Sequence, residues 1–403
     1  MASKLKAKSV ALGAALATAS SLVSADPFTI ASPDARPPSM LRNAPFHHAD
    51  LERVRQIKRE ELARKTSSDH AESKARADQL KQMIGANRSQ RSVGVLYGAV
   101  PGAVLGVGDA MIETAMGPAR SPMPADKDVW GRIHLSGARP VVATGLKAPI
   151  GAVDNSRLSS NTFVAQFGMP IYTNATTRLD ATIGLGGRST QLSPARKREP
   201  DLRTYSGAMG ITLQHHAPSD LDLRLGAQLS GGGSELKGGD ARPFGRDYEK
   251  KFRHVGLGLR AEVSRSLAAG RAVVVTPLFG AGASTAWVRQ GRGSSDNNSA
   301  ASLWVSTRVA YNHALQSGRS ASFWIEPTYI GQLKRSTTIT AQLSDAKFDL
   351  TSRLPRDRMG MRVGIDMPLG KQASFQASLS RFWGVGDSRQ KEGSLQLGYA
   401  HRF

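Results

Sequence analysis

The residues of this chain best suited to chemistry are its nine histidines and its surplus of arginines. His215-His216 could provide a general base, and with one of many serines and an asparagine would form a Ser-His-Asn hydrolase. Such a nucleophile and base must lie within hydrogen-bond reach, and no motif selects one serine. His47-His48 has no cysteine or acidic cluster beside it and reads as a solvated pair, not a metal site. Gly231-Gly232-Gly233 lacks the Lys-Ser/Thr of a phosphate loop and reads as a turn. No catalytic residue, metal site or cofactor is therefore expected. What remains is charge with a regular spacing. Arg132, Arg224, Arg260, Arg308, Arg362 and Arg402 fall on one parity of alternating segments, together with Asp222, Glu262 and Asp366. On β-strands that parity is one face, because side chains alternate across a pleated backbone.

Strands are what the surrounding sequence predicts. From Val129 onward twelve alternating segments follow one another: 129–136, 162–173, 177–190, 204–216, 221–231, 254–267, 272–288, 302–315, 321–333, 358–369, 373–383 and 393–403. Leu221, Leu223, Leu225, Ala227 and Leu229 alternate with Asp222, Arg224, Gly226 and Gln228, and Met359, Met361, Val363 and Ile365 with Gly360, Arg362 and Gly364. The links alternate too. Short ones such as Pro218-Ser219-Asp220 and Gly370-Lys371-Gln372 separate long polar ones such as 232–253, 290–301 and 334–357. Short periplasmic turns and long outer loops produce that rhythm in a transmembrane barrel. The expected fold is all-β: a twelve-stranded antiparallel outer-membrane barrel with a luminal helical segment and a charged N-terminal helix. The charged face must be the lumen, since a charge on the lipid face costs about 2–4 kcal/mol at the midplane. A narrow lumen is usually filled, so these charges predict a salt-bridged interior that holds a helix and seals the pore. An anion-favouring channel is the alternative.

The ends agree with export to a membrane. Lys4, Lys6 and Lys8, the small apolar stretch 10–23 and Val23-Ser24-Ala25 form a signal peptide over 1–25, cleaved between Ala25 and Asp26. No later segment supplies about 20 consecutive apolar residues. Residues 26–92 form a passenger-like region, Pro-rich and disordered over 26–48 and a charged helix over 50–84, with Asp50 as N-cap and Gly85 as stop. Residues 93–128 hold a linker and pore helix, with an extra strand over 93–100 as the competing reading. At the other end Leu395, Leu397, Tyr399 and Phe403 share one face, a pattern similar to the C-terminal assembly signal of outer-membrane proteins. The net charge of +22 needs a partner. Basic residues are spread along the chain with no nucleic-acid-binding motif, so outer-membrane lipids and lipopolysaccharide are expected and nucleic acid is not.

Several motifs share an order with one known family. Val129-Trp130-Gly131-Arg132 resembles the Trp-x-Arg opening of a first barrel strand, Gln166-Phe167-Gly168 a second-strand Gln-x-Gly, Ala261-Glu262-Val263 a sixth-strand Ala-Glu element, and Thr276-Pro277 a seventh-strand Glu-Pro element. With the ending Gly398-Tyr399 to Phe403, residues 129–403 resemble the translocator domain of the autotransporters, the single-chain type V secretion family. The resemblance implies a monomeric outer-membrane barrel threaded by a helix, inserted by the barrel-assembly machinery, with its own N-terminal segment as partner in the pore. The passenger is very short, without repeated β-helix rungs. The Asn-Asn pair used for self-cleavage in some members is missing before the first strand, since Asn297-Asn298 falls in a long loop. An uncleaved segment, threaded or displayed, is the function this implies.

Overall fold

The computed structural model describes residues 95–117 and, from 128 to 402, all but residues 140, 143, 147–155, 193–199, 239–247, 271, 291–294, 316–318, 335, 344–345, 354–356, 371 and 386. The expected signal peptide with Ala25-Asp26, the regions 26–48 and 50–84, and Phe403 lie outside the described residues.

Twelve long strands form the wall. They are β1 Asp128–Arg139, β2 Ser156–Thr173, β3 Thr177–Leu192, β4 Asp201–His216, β5 Leu221–Gly238 and β6 Tyr248–Arg265. The second half comprises β7 Val273–Gln290, β8 Ser295–Ala314, β9 Ser320–Gln332, β10 Arg358–Leu369, β11 Ala373–Gly384 and β12 Asp387–Arg402. Each pairs antiparallel with its sequence neighbours, and β1 closes the sheet by pairing both β2, with Trp130 opposite Gly168, and β12, with Arg132 opposite Gly398. Closure leaves no open edge, the condition for a β-sheet to cross lipid.

Alternation along the strands sorts the side chains. On β5, Asp222, Arg224, Gln228 and Ser230 are buried while Leu225 and Leu229 are exposed. Around the wall large apolar side chains are exposed: Phe167, Ile183, Leu185, Met209, Leu257, Phe279, Val305 and Phe323 among them. This is the lipid-facing band. Tight links close one end; at β2–β3 the Asn174 carboxamide oxygen accepts the backbone N–H groups of Thr176 (3.0 Å) and Thr177 (2.7 Å).

The strands run further at the opposite, long-loop end than alternation predicts. Gly231-Gly232-Gly233 is not a turn but lies inside β5, with Gly233 opposite Arg253 on β6. The predicted loop 334–357 contains the hairpin Ser336–Leu343/Ala346–Arg353, which pairs with Thr144–Leu146 in a small separate sheet. Polar residues there carry regular strands because the register continues past the apolar band.

Inside the wall, three tryptophans lie flat over glycines of the adjacent strand: Trp130 over Gly168, Trp304 over Gly280 and Trp324 over Gly364, each pair directly in register. A Cβ on any of these glycines would come 2.2 Å from the indole. An arginine guanidinium covers each ring: Arg132 at 4.2 Å, Arg260 at 4.0 Å and Arg308 at 3.9 Å from the centroid. The absent side chain thus lets a ring and a cation stack against the wall.

One helix, α1 over Val95–Met116, occupies the lumen. Residues 95–100 are helical, so the extra-strand alternative does not hold. By length and composition α1 is also apolar enough to cross a bilayer, although Asp109 and Glu113 interrupt its apolar run. Its 22 residues span about 33 Å. Pro101 sits within it and withholds one backbone donor, a defect tolerable in a helix packed on all sides.

The outward parity gives a direct test. Leu257→Arg, on the lipid face, should destabilise the folded barrel by about 2–4 kcal/mol in a urea titration in lipid bilayers, and an unchanged midpoint would put that face elsewhere.

Candidate functional site: a helix-filled lumen

The lumen has two chemically distinct zones along α1. At the long-loop end it is apolar. Val95, Leu96, Val100 and Val104 of the helix pack with Leu158, Leu202, Leu236, Phe252 and Val288 of the wall, all nearly inaccessible. Tyr97 packs edge-on against Phe252 at 5.0 Å, and its hydroxyl donates to Gln290 at the end of β7. Ile339 of the outer hairpin joins this collar and covers it from above.

At the short-turn end the surroundings of α1 are charged. A helix ends on backbone carbonyls without intrahelical partners and carries partial negative charge there. Arg132 donates to the Ala115 carbonyl at 2.6 Å, and Arg224 to the carbonyls of Met116 and of Gly117 at 3.1 Å. Gly117 ends the helix at φ 65°, the left-handed conformation favoured by glycine, with its N–H on the Glu113 carbonyl at 2.9 Å. A Cβ there would lie 2.4 Å from the Arg132 guanidinium carbon. Midway, Gln166 donates to the Met111 carbonyl at 3.1 Å. Glu113 on α1 forms an ion pair with Arg362 of β10.

Several of the remaining wall charges are matched among themselves. Glu262 bridges Arg224 at 2.8 Å and Arg260 at 3.1 Å, and Glu326 holds Arg308 at 2.7 Å. Asp180 accepts the Trp130 indole N–H at 2.9 Å and pairs with Arg178 at 2.7 Å. Asp366 is buried in the lumen and Asp222 pairs with His216 at 2.7 Å. Arg402 stands opposite Asp128 at the seam; its side chain lies outside the described residues. Leu395, Leu397 and Tyr399 occupy the other parity of β12, with Tyr399 exposed.

Alternation did not single out Gln166, Glu113 or Glu326. Glu326 carries the signal in its register opposite Arg362; Glu113 is visible only once α1 is placed. The apolar collar was missed because Leu158, Leu202, Leu236 and Phe252 all fall beyond the predicted strand ends. Two cavities of about 170 and 100 Å³ flank α1, both touched by Asp109 and Glu113. At about 30 Å³ per water they hold a few waters, not a second polypeptide.

Hydrolytic chemistry finds little support here. His215 bonds Thr177 at 2.8 Å and His216 bonds Asp222. A Ser206–His254 contact of 2.8 Å does exist, but it is buried in the lumen, and among the described residues His254 Nδ1 has no acceptor to orient the ring as a base.

The description "Autotransporter beta-domain" fits the sequence over residues 151–380, more than half of the chain. The chain belongs to the autotransporter family. Its fold is that of autotransporter translocator domains. It is similar to the translocator domain of autotransporter NalP from Neisseria meningitidis, with TM-score 0.57 at 14% identity, over 76% of this chain and 99% of that one. It is likewise similar to the transport unit of the autotransporter AIDA-I from Escherichia coli, with TM-score 0.54 at 16% identity, over 75% and 99%. No curated protein matches the chain. The autotransporter match starts after β1, yet β1 completes the barrel by hydrogen-bonding both neighbours. The protein is thus an autotransporter translocator barrel of the bacterial outer membrane, with its lumen occupied by its own helix.

The contacts at the helix end set an expectation. Glu113→Gln and Arg362→Gln should each destabilise the barrel, and together by less than the sum, with a coupling of about 0.5–3 kcal/mol. A double-mutant cycle by urea unfolding measures it, and strict additivity would show that the pair does not act as a unit.

Proposed function

We propose that this barrel retains α1 in its lumen and presents the residues preceding Val95 at the outer surface, still attached. The observation that carries this reading is the polarity of α1. Its C-terminal end is held at the short-turn end by Arg132 and Arg224. Its N-terminal end reaches the long-loop end, beside Gln290 and Phe252. Long loops face outward in outer-membrane barrels, so the preceding chain leaves on the outer side.

The work of such a barrel is mechanical: no bond is made or broken. The matched charges favour a seal over an anion path, because an arginine engaged by a carboxylate or a helix carbonyl offers little field to a passing ion. Leu395, Leu397 and Tyr399 supply the apolar outer face by which the assembly machinery takes up β12. A single chain closes the barrel, so the working unit is a monomer.

The absence of cysteine permits a clean test. A Gln90→Cys variant should react with a membrane-impermeant maleimide on intact cells, whereas Ser219→Cys, in a short turn, should react only after the outer membrane is permeabilised. Labelling of residue 90 only after permeabilisation would overturn display.

A further inference from the structure

The Asn297-Asn298 pair, expected in a long loop, lies within β8 where the wall meets the outer hairpin. Asn298 is buried on the inward side and Asn297 is exposed. The Thr285 hydroxyl of β7 is shared between the Asn297 side-chain oxygen at 2.9 Å and the Asn298 carbonyl at 3.1 Å, which steadies this end of β8. Asn298 turns its own side-chain oxygen to the hairpin and accepts the Thr338 backbone N–H at 2.7 Å. Two residues earlier, Asp296 accepts the Thr340 N–H and hydroxyl, both at 3.2 Å. Holding the hairpin leaves the Asn298 amide nitrogen buried with no hydrogen-bond partner among the described residues.

Ser336–Leu343 is an edge strand, paired with Ala346–Arg353 on one side only. Alternate N–H groups of a strand point the same way, so Thr338 and Thr340 present their donors to β8 together. There they meet side-chain acceptors at matching spacing, 298 and 296, instead of a backbone ladder. A ladder would have extended the wall, whereas two side-chain acceptors can release the edge without unpairing any barrel strand. The inward face of the hairpin closes on the collar. Thr337, Ile339 and Ser352 are nearly inaccessible, and Ile339 belongs to the same apolar cluster as Val95, Leu96 and Val100 of α1. The second hairpin strand pairs over 350–352 with Thr144–Leu146 of the β1–β2 link, so the hairpin reaches across the mouth from β8 to that link. The start of α1 leans instead toward Phe252 of β6 and Gln290 of β7, away from both attachments.

We propose that the outer hairpin is a detachable latch over α1, with Asn298 and Asp296 as the positioning residues that seat it. Seated, it holds Ile339 over the first turns of the helix and blocks outward withdrawal. Released, it uncovers the collar, while the twelve-stranded wall and the ion pair of Glu113 at the other end of α1 stay in place. The chain before Val95 leaves on the β6–β7 side in either state, so the latch retains the helix without trapping what precedes it. The latch goes beyond the display reading and depends only on where α1 lies in the lumen. Labelling of residue 90 on intact cells tests display alone, and the experiment below tests the latch alone.

The chain has no cysteine of its own, so Val95→Cys in the full chain, folded in mild detergent, reports on the latch by its rate of maleimide labelling. With the hairpin intact, labelling should be slow. Asn298→Ala with Asp296→Ala should speed it about tenfold, because local opening of the hairpin is then the route of access, and Ile339→Ser should act in the same direction. Asp296→Asn alone keeps a side-chain acceptor and should stay within about twofold of the parent. Met111→Cys, deeper on α1, should remain slow in all of these backgrounds. Unchanged labelling of residue 95 in the double variant would overturn the latch. Equal acceleration at residues 95 and 111 would overturn it too, since the whole barrel would then have loosened. Should the point variants fail to fold, replacing 336–353 by a short glycine link decides: if residue 95 stays protected without the hairpin, the hairpin does not retain α1.

Discussion

A backbone that crosses lipid must satisfy its own hydrogen bonds, and every other feature of this molecule answers that constraint. β1 meets the need for closure by pairing with both β2 and β12. Closure in turn creates an interior that must be filled. Twelve strands enclose a space wider than their own side chains can pack, and α1 takes up the remainder. The small residues along it, Ala99, Gly102, Ala103 and Gly106, let the helix backbone come close to the wall. At Gly106 the approach is tight: a Cβ would fall 2.0 Å from the Arg188 guanidinium.

The two luminal zones contribute in different ways. Apolar burial in the collar supplies the affinity of the helix for the barrel, about 1.5–3 kcal/mol for each fully buried large side chain. Ion pairs in the lower zone contribute less net energy, because burying charges costs nearly what their attraction returns. Their effect is on register. A helix that slid by one turn would keep much of its apolar packing but would move its terminal carbonyls away from Arg132 and Arg224, and Glu113 away from Arg362. Such mismatches leave buried charges without partners, at about 3–5 kcal/mol each. The collar therefore holds the helix and the arginines fix where it stops.

How much of this was legible in the sequence depended on whether a residue lay inside a detectable alternation. Leu221 to Leu229 and Met359 to Ile365 alternate over enough positions to fix their faces, and with them the placement of Arg224 and Arg362. Leu236 and Phe252 lie outside such runs, in stretches whose Gly, Lys and Glu content reads as loop. Their strands exist because hydrogen bonding continues beyond the membrane, where polar outward residues are at home, so hydropathy gives no signal. The Trp–Gly stacks were invisible for another reason. Trp130 and Gly168 are 38 positions apart, and only the register brings them together. Family resemblance reached Trp130, Gln166 and Gly168 as motif positions; the structure supplies their physics, a ring seated on a glycine and a carboxamide bonded to the helix.

The asymmetry of the lumen also bears on whether α1 could leave. Withdrawal toward the outer side would part Glu113 from Arg362 and drag it, with Asp109, between the apolar side chains of the collar. Withdrawal toward the periplasm would draw Leu96, Val100 and Val104 past Arg260 and Arg362 and expose the wall residues Leu202, Leu236 and Val288 to water. Either path loses apolar burial on the order of 10 kcal/mol, from at least six large side chains at the lower bound for each. Neither path offers intermediate positions in which both zones are satisfied. The barrel and its helix are therefore best regarded as one folding unit, in which the strand that closes the wall and the helix that fills it stabilise each other.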